Sequence, residues 1–184
     1  MNHLSKPLVL LLFIGIGVLL TGLIVLDGEA VDENRPAAPV KGAVAPAVSA
    51  ITAKGESVSL EDLAGKPVVL NFWASWCPPC RAEMKAFQAV AEKYPDGEVM
   101  VIGLNATSQD DRQAALDFVE EQGVTFPIWF DMEGDSARNF RVRAMPTTFF
   151  IRANGEIADV MIGGPLNETV IHVAIEEMLK DEVD

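Results

Sequence analysis

The chain has 184 residues, 49% of them hydrophobic and 22% charged, with 27 acidic against 14 basic side chains and a net charge of −13. That length accommodates one globular domain plus an appendage. A surface this acidic argues against nucleic acid as a partner, because phosphate contacts need clustered Lys and Arg.

Residues 7–26, from Pro7 through Leu26, contain no charged side chain. About 20 apolar residues suffice to cross a bilayer as a helix. Lys6 and the amino terminus precede the stretch, and Asp27, Glu29, Asp32 and Glu33 follow it. Basic flanks stay cytoplasmic. The expected topology is therefore a cytoplasmic segment 1–6, a single transmembrane signal anchor 7–26, and a main domain on the extracytoplasmic face, periplasmic or outer. The alternative is a cleaved signal peptide, although cleavable apolar regions usually run about 7–15 residues, shorter than this one. Residues 27–46, with Pro36, Pro39 and Pro46 and no apolar periodicity, read as a Pro/Ala-rich tether to a folded domain over 47–184.

The domain opens with a hairpin-like pair, 47–52 and 57–60, around Gly55. Ser59 is placed to cap a short turn over Glu61-Asp62-Leu63 that stops at Gly65. Residues 68–73 form a nearly continuous apolar run, the pattern of a central strand covered on both faces. A helix is predicted over 78–94, ending at Pro95-Asp96-Gly97, then a strand over 99–104 and a helix over 108–122 stopped by Gly123. A short strand at 128–130 and a helical turn at 136–140 follow. A late hairpin pairs 148–152 with 156–162 across Asn154-Gly155, and 166–179 makes the closing helix. Alternating strands and helices with a late hairpin predict an α/β domain of three layers around a mixed sheet.

The only two cysteines, Cys77 and Cys80, stand in Trp76-Cys77-Pro78-Pro79-Cys80, where the apolar strand gives way to the helix. A thiol at a helix N-terminus is favoured as thiolate by the partial positive charge there. Cys77 is expected at the N-cap, exposed, and Cys80 one turn along and turned inward. Thiol–disulfide exchange needs that division into an accessible nucleophile and a shielded resolving thiol. Pro78 suits the first helical position. Because Pro78 and Pro79 lack N–H groups, only Cys80 among the next three residues can donate to the Cys77 sulfur, which predicts a weakly stabilised thiolate. A zinc site would need two further ligands, and only His3 and His172 exist, so no metal and no cofactor is assigned.

On the same helix, Cys80, Glu83, Met84, Phe87, Val90, Ala91 and Tyr94 share one stripe, in which Glu83 is the only charge. A carboxylate facing an apolar core has its pKa raised. One turn below Cys80, Glu83 is positioned to accept that thiol's proton. The alternative is an acid placed near a helix start by the dipole. Met145-Pro146-Thr147 opens the next strand, and proline at a strand start is ordinary by itself.

Phe72-Trp73-Ala74-Ser75-Trp76-Cys77-Pro78-Pro79-Cys80, followed far downstream by Met145-Pro146-Thr147-Thr148-Phe149, resembles the thioredoxin superfamily. More narrowly, it is similar to the membrane-anchored TlpA/ResA group of bacterial thiol–disulfide oxidoreductases, over roughly residues 46–180. The resemblance implies a thioredoxin-like α/β/α fold with an N-terminal hairpin and a central helix–strand insertion, here 108–130. It implies a redox-active disulfide between Cys77 and Cys80, and a cis Pro146 lying against it. Substrate-binding positions at Met145, Pro146 and Trp76 follow from the same likeness. Glu83 matches the group's glutamate three residues after the second cysteine. Asn71 stands where cytoplasmic thioredoxins have a buried aspartate, which leaves Glu83 as the proton acceptor.

The same likeness implies reduction of protein disulfides outside the cytoplasm, apocytochrome c among them. Electrons would come from a membrane thiol carrier of the CcdA/DsbD kind. A DsbA-type oxidant shares motif and fold. A peroxiredoxin-like peroxidase lacks its expected Thr and Arg partners here. A Sco-like copper chaperone would need a C-x-x-x-C and a distal histidine, whereas His172 falls in the closing helix.

Overall fold

Six consecutive buried residues, Val68–Trp73, form the strand around which the sheet is laid out. The structure, a computed structural model, describes residues 37–180. The predicted membrane segment 7–26 lies outside the described residues. Among the described residues no helix is long and apolar enough to cross a membrane.

In chain order the strands are β1 (Ala50–Thr52), β2 (Ser57–Val58), β3 (Val68–Trp73), β4 (Met100–Asn105), β5 (Ile128–Phe130), β6 (Thr147–Ile151) and β7 (Ile157–Ile162). The helices are α1 (Pro78–Lys93), α2 (Arg112–Gln122), α3 (Asp135–Asn139) and α4 (Glu168–Lys180). The seven strands of the described residues join one sheet in the order β2-β1-β5-β4-β3-β6-β7. β3 pairs in parallel with β4 and antiparallel with β6, and β5 extends the parallel part beyond β4. This is the mixed sheet expected, with α2 and β5 as the inserted helix and strand.

The alternation of β3 divides the core. Val69 and Trp73 face a cluster with Met84 and Phe87 of α1, Phe118 of α2 and Ile171 and Ile175 of α4. Val68, Leu70 and Phe72 face the other side, against Val48, Ala137, Phe140 and Phe149. The second layer is thin: short α3, Leu63 of the turn Glu61–Leu63, and the chain near Val48 cover it.

Gly103 of β4 sits where the space a β-carbon would need is already filled. A Cβ there would lie 2.7 Å from Ile128 Cδ1 and 3.2 Å from both the Phe126 ring and Trp73 Nε1. Overpacking of this kind costs typically about 1–3 kcal/mol. Gly103→Ala is expected to lose that much in urea unfolding, whereas Gly155→Ala, in open space, reports only on its turn.

Three local expectations are corrected. Ser59 does not cap the turn over Glu61–Leu63; instead its own N–H and Oγ bond to Asp62 Oδ2 at 2.7 and 3.0 Å. A carboxylate inside so short a turn reaches backward more easily than a serine reaches forward. The helix predicted from 108 begins at Arg112, because Asp111 caps it through Ala114 N–H at 2.8 Å while Thr107–Gln109 form a separate turn. Finally, residues 37–46 of the segment read as a tether are held on the domain. Gly42 and Ile157 bond through backbone, as do Ala43 and Ile157, and Ala45 and Gly155.

Candidate active site

Cys77 occupies the N-cap of α1 in an extended conformation, and Cys80 is its third residue. The two are disulfide-bonded, with Cα atoms 5.3 Å apart. Pro78 and Pro79 fill the positions between them and offer no N–H. The Cys80 N–H is therefore the single backbone donor from the first helical turn to the Cys77 sulfur, at 3.4 Å. Exposure of Cys77 is not observed: it is 3% exposed and Cys80 0%. In the oxidised pair the Cys77 sulfur is tied to one inside the core, and both cysteines join the apolar cluster around Met84. The surface at this end of α1 is marked instead by Trp76, 57% exposed.

Glu83 is fully buried on the stripe predicted for it, with Cys80, Met84, Phe87 and Val90. Its Oε1 accepts from Asn71 Nδ2 at 2.9 Å, and its Oε2 from the Leu166 N–H at 2.9 Å. Burial raises its pKa from 4.5 to about 7, against the lowering effect of those two hydrogen bonds. Asn71 lies on the α1 side of β3. It sits opposite Thr148 in register and donates to that hydroxyl at 3.0 Å. Asn71 thus holds Glu83 in place without contributing a second carboxylate, and its Oδ1 is a buried acceptor with no partner among the described residues.

Met145-Pro146 is a cis peptide, and Pro146 is buried at the start of β6. Met145 is half-buried against the cluster that contains both cysteines. The loop 163–166 connects these parts; sequence reasoning left 163–165 unassigned and began the closing helix at 166, whereas it begins at Glu168. The Gly163 N–H donates to the Pro146 carbonyl at 2.8 Å, and Leu166 holds Glu83 as above. A Cβ on Gly164 would come within 2.6 Å of both Glu83 Oε2 and Pro146 Cγ. Only glycine lets the loop approach so closely, and the dipeptide Gly163-Gly164 before Pro165 was the available sign.

The loop ahead of Cys77 is fixed by Asp110, also unforeseen. Asp110 accepts from the Ser75 N–H and Oγ at 2.6 Å each and from Asn105 Nδ2 at 2.7 Å. Trp76 Nε1 donates to the Gln109 carbonyl at 2.9 Å, and Arg81 Nη1 to the Ser75 carbonyl at 3.2 Å. Hydrogen bonds to a charged group contribute about 1.5–3 kcal/mol each, less when partners rehydrate. Asp110→Ala is expected to lower unfolding stability by about 2–4 kcal/mol, as read from denaturant midpoints. An unchanged midpoint would mean that solvent replaces the carboxylate without loss.

His172 of α4 does not approach the cysteines' helix end. Its Nδ1 and the Tyr94 hydroxyl, at the far end of α1, are 2.7 Å apart, and Glu176 is nearby. Among the described residues no cluster of His, Cys, Asp and Glu is arranged to hold a metal.

A disulfide across the first turn of a helix, with a buried proton-holding carboxylate one turn below, can exchange with another dithiol. Set in this sheet, it is the machinery of the thioredoxin-like thiol–disulfide oxidoreductases, and the chain is one. It belongs to the AhpC/TSA family, whose pattern matches residues 41–160. It is 41% identical over 108 residues to the thiol-disulfide oxidoreductase ResA of Oceanobacillus iheyensis, covering 58% of this chain and 55% of that one. To the sporulation thiol-disulfide oxidoreductase A of Bacillus subtilis it is 32% identical over 149 residues, covering 79% of this chain and 86% of that one. Among solved structures, a Chlorobium tepidum chain described as a thiol:disulfide interchange protein DsbE superposes with a TM-score of 0.68 at 31% identity. That match covers 76% of this chain and 97% of the other.

Proposed function

We propose that the protein is an extracytoplasmic reductase of protein disulfides, held at the membrane by residues 7–26, with apocytochrome c as a client. The observation that carries the reductase direction is the single N–H facing the Cys77 sulfur. Strong oxidants of this fold owe their high potential to a stabilised reduced form. With prolines at both intervening positions, the Cys77 thiolate gains little from the helix N-terminus, so the dithiol gives up electrons readily.

The reaction runs as two exchanges. The Cys77 thiolate attacks a client sulfur, the client S–S bond breaks, and the released client thiolate takes a proton from solvent. Cys80 then passes its proton to the Glu83 carboxylate, and its sulfur attacks Cys77, forming the intramolecular disulfide and releasing the second client thiolate. Two electrons move from the enzyme dithiol to the client. The enzyme is recharged by a membrane thiol carrier of the CcdA/DsbD kind. Met145, Pro146 and Trp76 receive the client peptide beside the disulfide; the names of the relatives, thiol-disulfide oxidoreductases, support exchange with disulfides as the chemistry.

The test is to mix the reduced full-length protein with an oxidised Cys-x-x-Cys-His peptide, the haem-attachment sequence of c-type cytochromes. The expected result is one equivalent of peptide dithiol for each enzyme disulfide formed. A peptide that stays oxidised, while the oxidised protein readily oxidises reduced clients, would support the DsbA-type alternative instead.

A further inference from the structure

Beside the loop that carries Trp76 lies a depression of about 330 Å³, lined by Ser108, Gln109, Arg138, Arg141 and Arg143 among others, with no acidic residue in its wall. In a chain with 27 acids against 14 bases, three arginines within six residues and no carboxylate among them form an exceptional patch. Arg138 is already engaged, by an ion pair with Asp135 and a bond to the Glu133 carbonyl. Arg141 and Arg143 are exposed, and neither guanidinium has a partner among the described residues.

The backbone adds a second observation. Arg141 is the only described residue other than glycine with a positive φ, 48°. It follows α3 where Val142 N–H reaches the Ala137 carbonyl and Arg141 N–H the Arg138 carbonyl. That helix ending is usually made by glycine, because a side chain in the left-handed region is strained. Arginine here forgoes the easier residue and places a guanidinium at the rim. The patch also adjoins the client path. Gln109 holds Trp76 through its carbonyl, and Arg143 is two residues ahead of Met145.

We infer that this depression is a carboxylate-binding subsite, in which Arg141 and Arg143 receive Asp or Glu side chains of the client protein next to its disulfide. The inference rests on the reductase reading above and adds the chemistry of the client. Two exposed arginines attract such a segment without touching the sulfur chemistry. The attraction weakens as salt is added.

The experiment compares two oxidised Cys-x-x-Cys peptides that differ only in glutamates against glutamines outside the disulfide loop. Their kcat/KM values are measured with the full-length protein and with its Arg141→Gln/Arg143→Gln variant. Exposed ion pairs of this kind are worth a preference of about five- to tenfold for the glutamate peptide in the wild type. The ratio should fall to about one in the double variant and shrink in the wild type at high salt. A wild-type ratio near one, or a preference that survives in the variant, overturns the subsite while leaving the reductase intact. Failure to reduce either peptide removes the reductase reading itself, and the subsite with it.

Discussion

Replacing Cys77 with serine is expected to abolish disulfide turnover, by at least about a thousandfold, because a hydroxyl cannot ionise to act as the nucleophile near neutral pH. Cys80→Ser is expected to behave differently: Cys77 still attacks, but no thiol resolves the product, and a mixed disulfide with the peptide accumulates. The asymmetry cannot come from exposure, since both cysteines are buried when oxidised. It comes from place. Cys77 ends the loop that carries exposed Trp76, whereas Cys80 is a turn into α1 and fully buried beside Met84 and Phe87. Mass spectrometry of each variant after incubation with an oxidised peptide reads the outcome directly. A mixed disulfide mapped to Cys80 in the Cys77→Ser protein, formed as fast as the one at Cys77, would reverse the assignment.

Glu83→Gln has the second largest expected effect, on both stability and rate. Burial raises the Glu83 pKa from 4.5 to about 7, so the folded protein binds this proton more tightly than the unfolded chain. Stability contributed by the protonated carboxyl is fully present below pH 4.5 and is lost as pH rises through about 7. The loss amounts to roughly 3 kcal/mol by pH 8, taking about 1.4 kcal/mol per pKa unit. Glutamine is neutral throughout. The unpartnered Asn71 Oδ1 is available to accept from its amide if the Asn71 side chain turns over. Relative to wild type, the variant should therefore gain stability between pH 5 and pH 8, as measured by urea unfolding of the oxidised proteins. Equal pH dependence in the two proteins would contradict the raised pKa.

The rate should move the opposite way. Resolution by Cys80 requires Glu83 as carboxylate, so the wild-type rate rises with pH through about 7. In Glu83→Gln that inflection disappears and the step slows by about a hundredfold or more, the usual worth of a positioned base. A destabilised protein would not lose an inflection while becoming more stable, so the two readouts together separate proton transfer from packing.

The elements that carry the chemistry were legible because their signals are local. The apolar run of β3 matches its observed bounds, and the stripe on α1 placed Glu83 inward by spacing alone. The two prolines of the motif foretold the lone donor to Cys77. What escaped was non-local. Asp110 sits 35 residues from Ser75, and nothing in its own neighbourhood announces that it anchors the catalytic loop. Leu166 reaches Glu83 through a backbone N–H across 83 residues, a bond that any residue but proline could make. The burial of Cys77 was missed for another reason. The expectation weighed a free thiol at a helix end, whereas the disulfide pulls the sulfur onto Cys80.

The reduction potential of the full-length protein, equilibrated in defined thiol–disulfide buffers, tests the reductase direction most directly. The lone N–H facing Cys77 leads to an expected value of about −250 mV or lower, in the range of thioredoxin-like reductants. A value near about −120 mV would mean that the reduced form is strongly stabilised after all. The protein would then insert disulfides, and the proposed role toward apocytochrome c would fall.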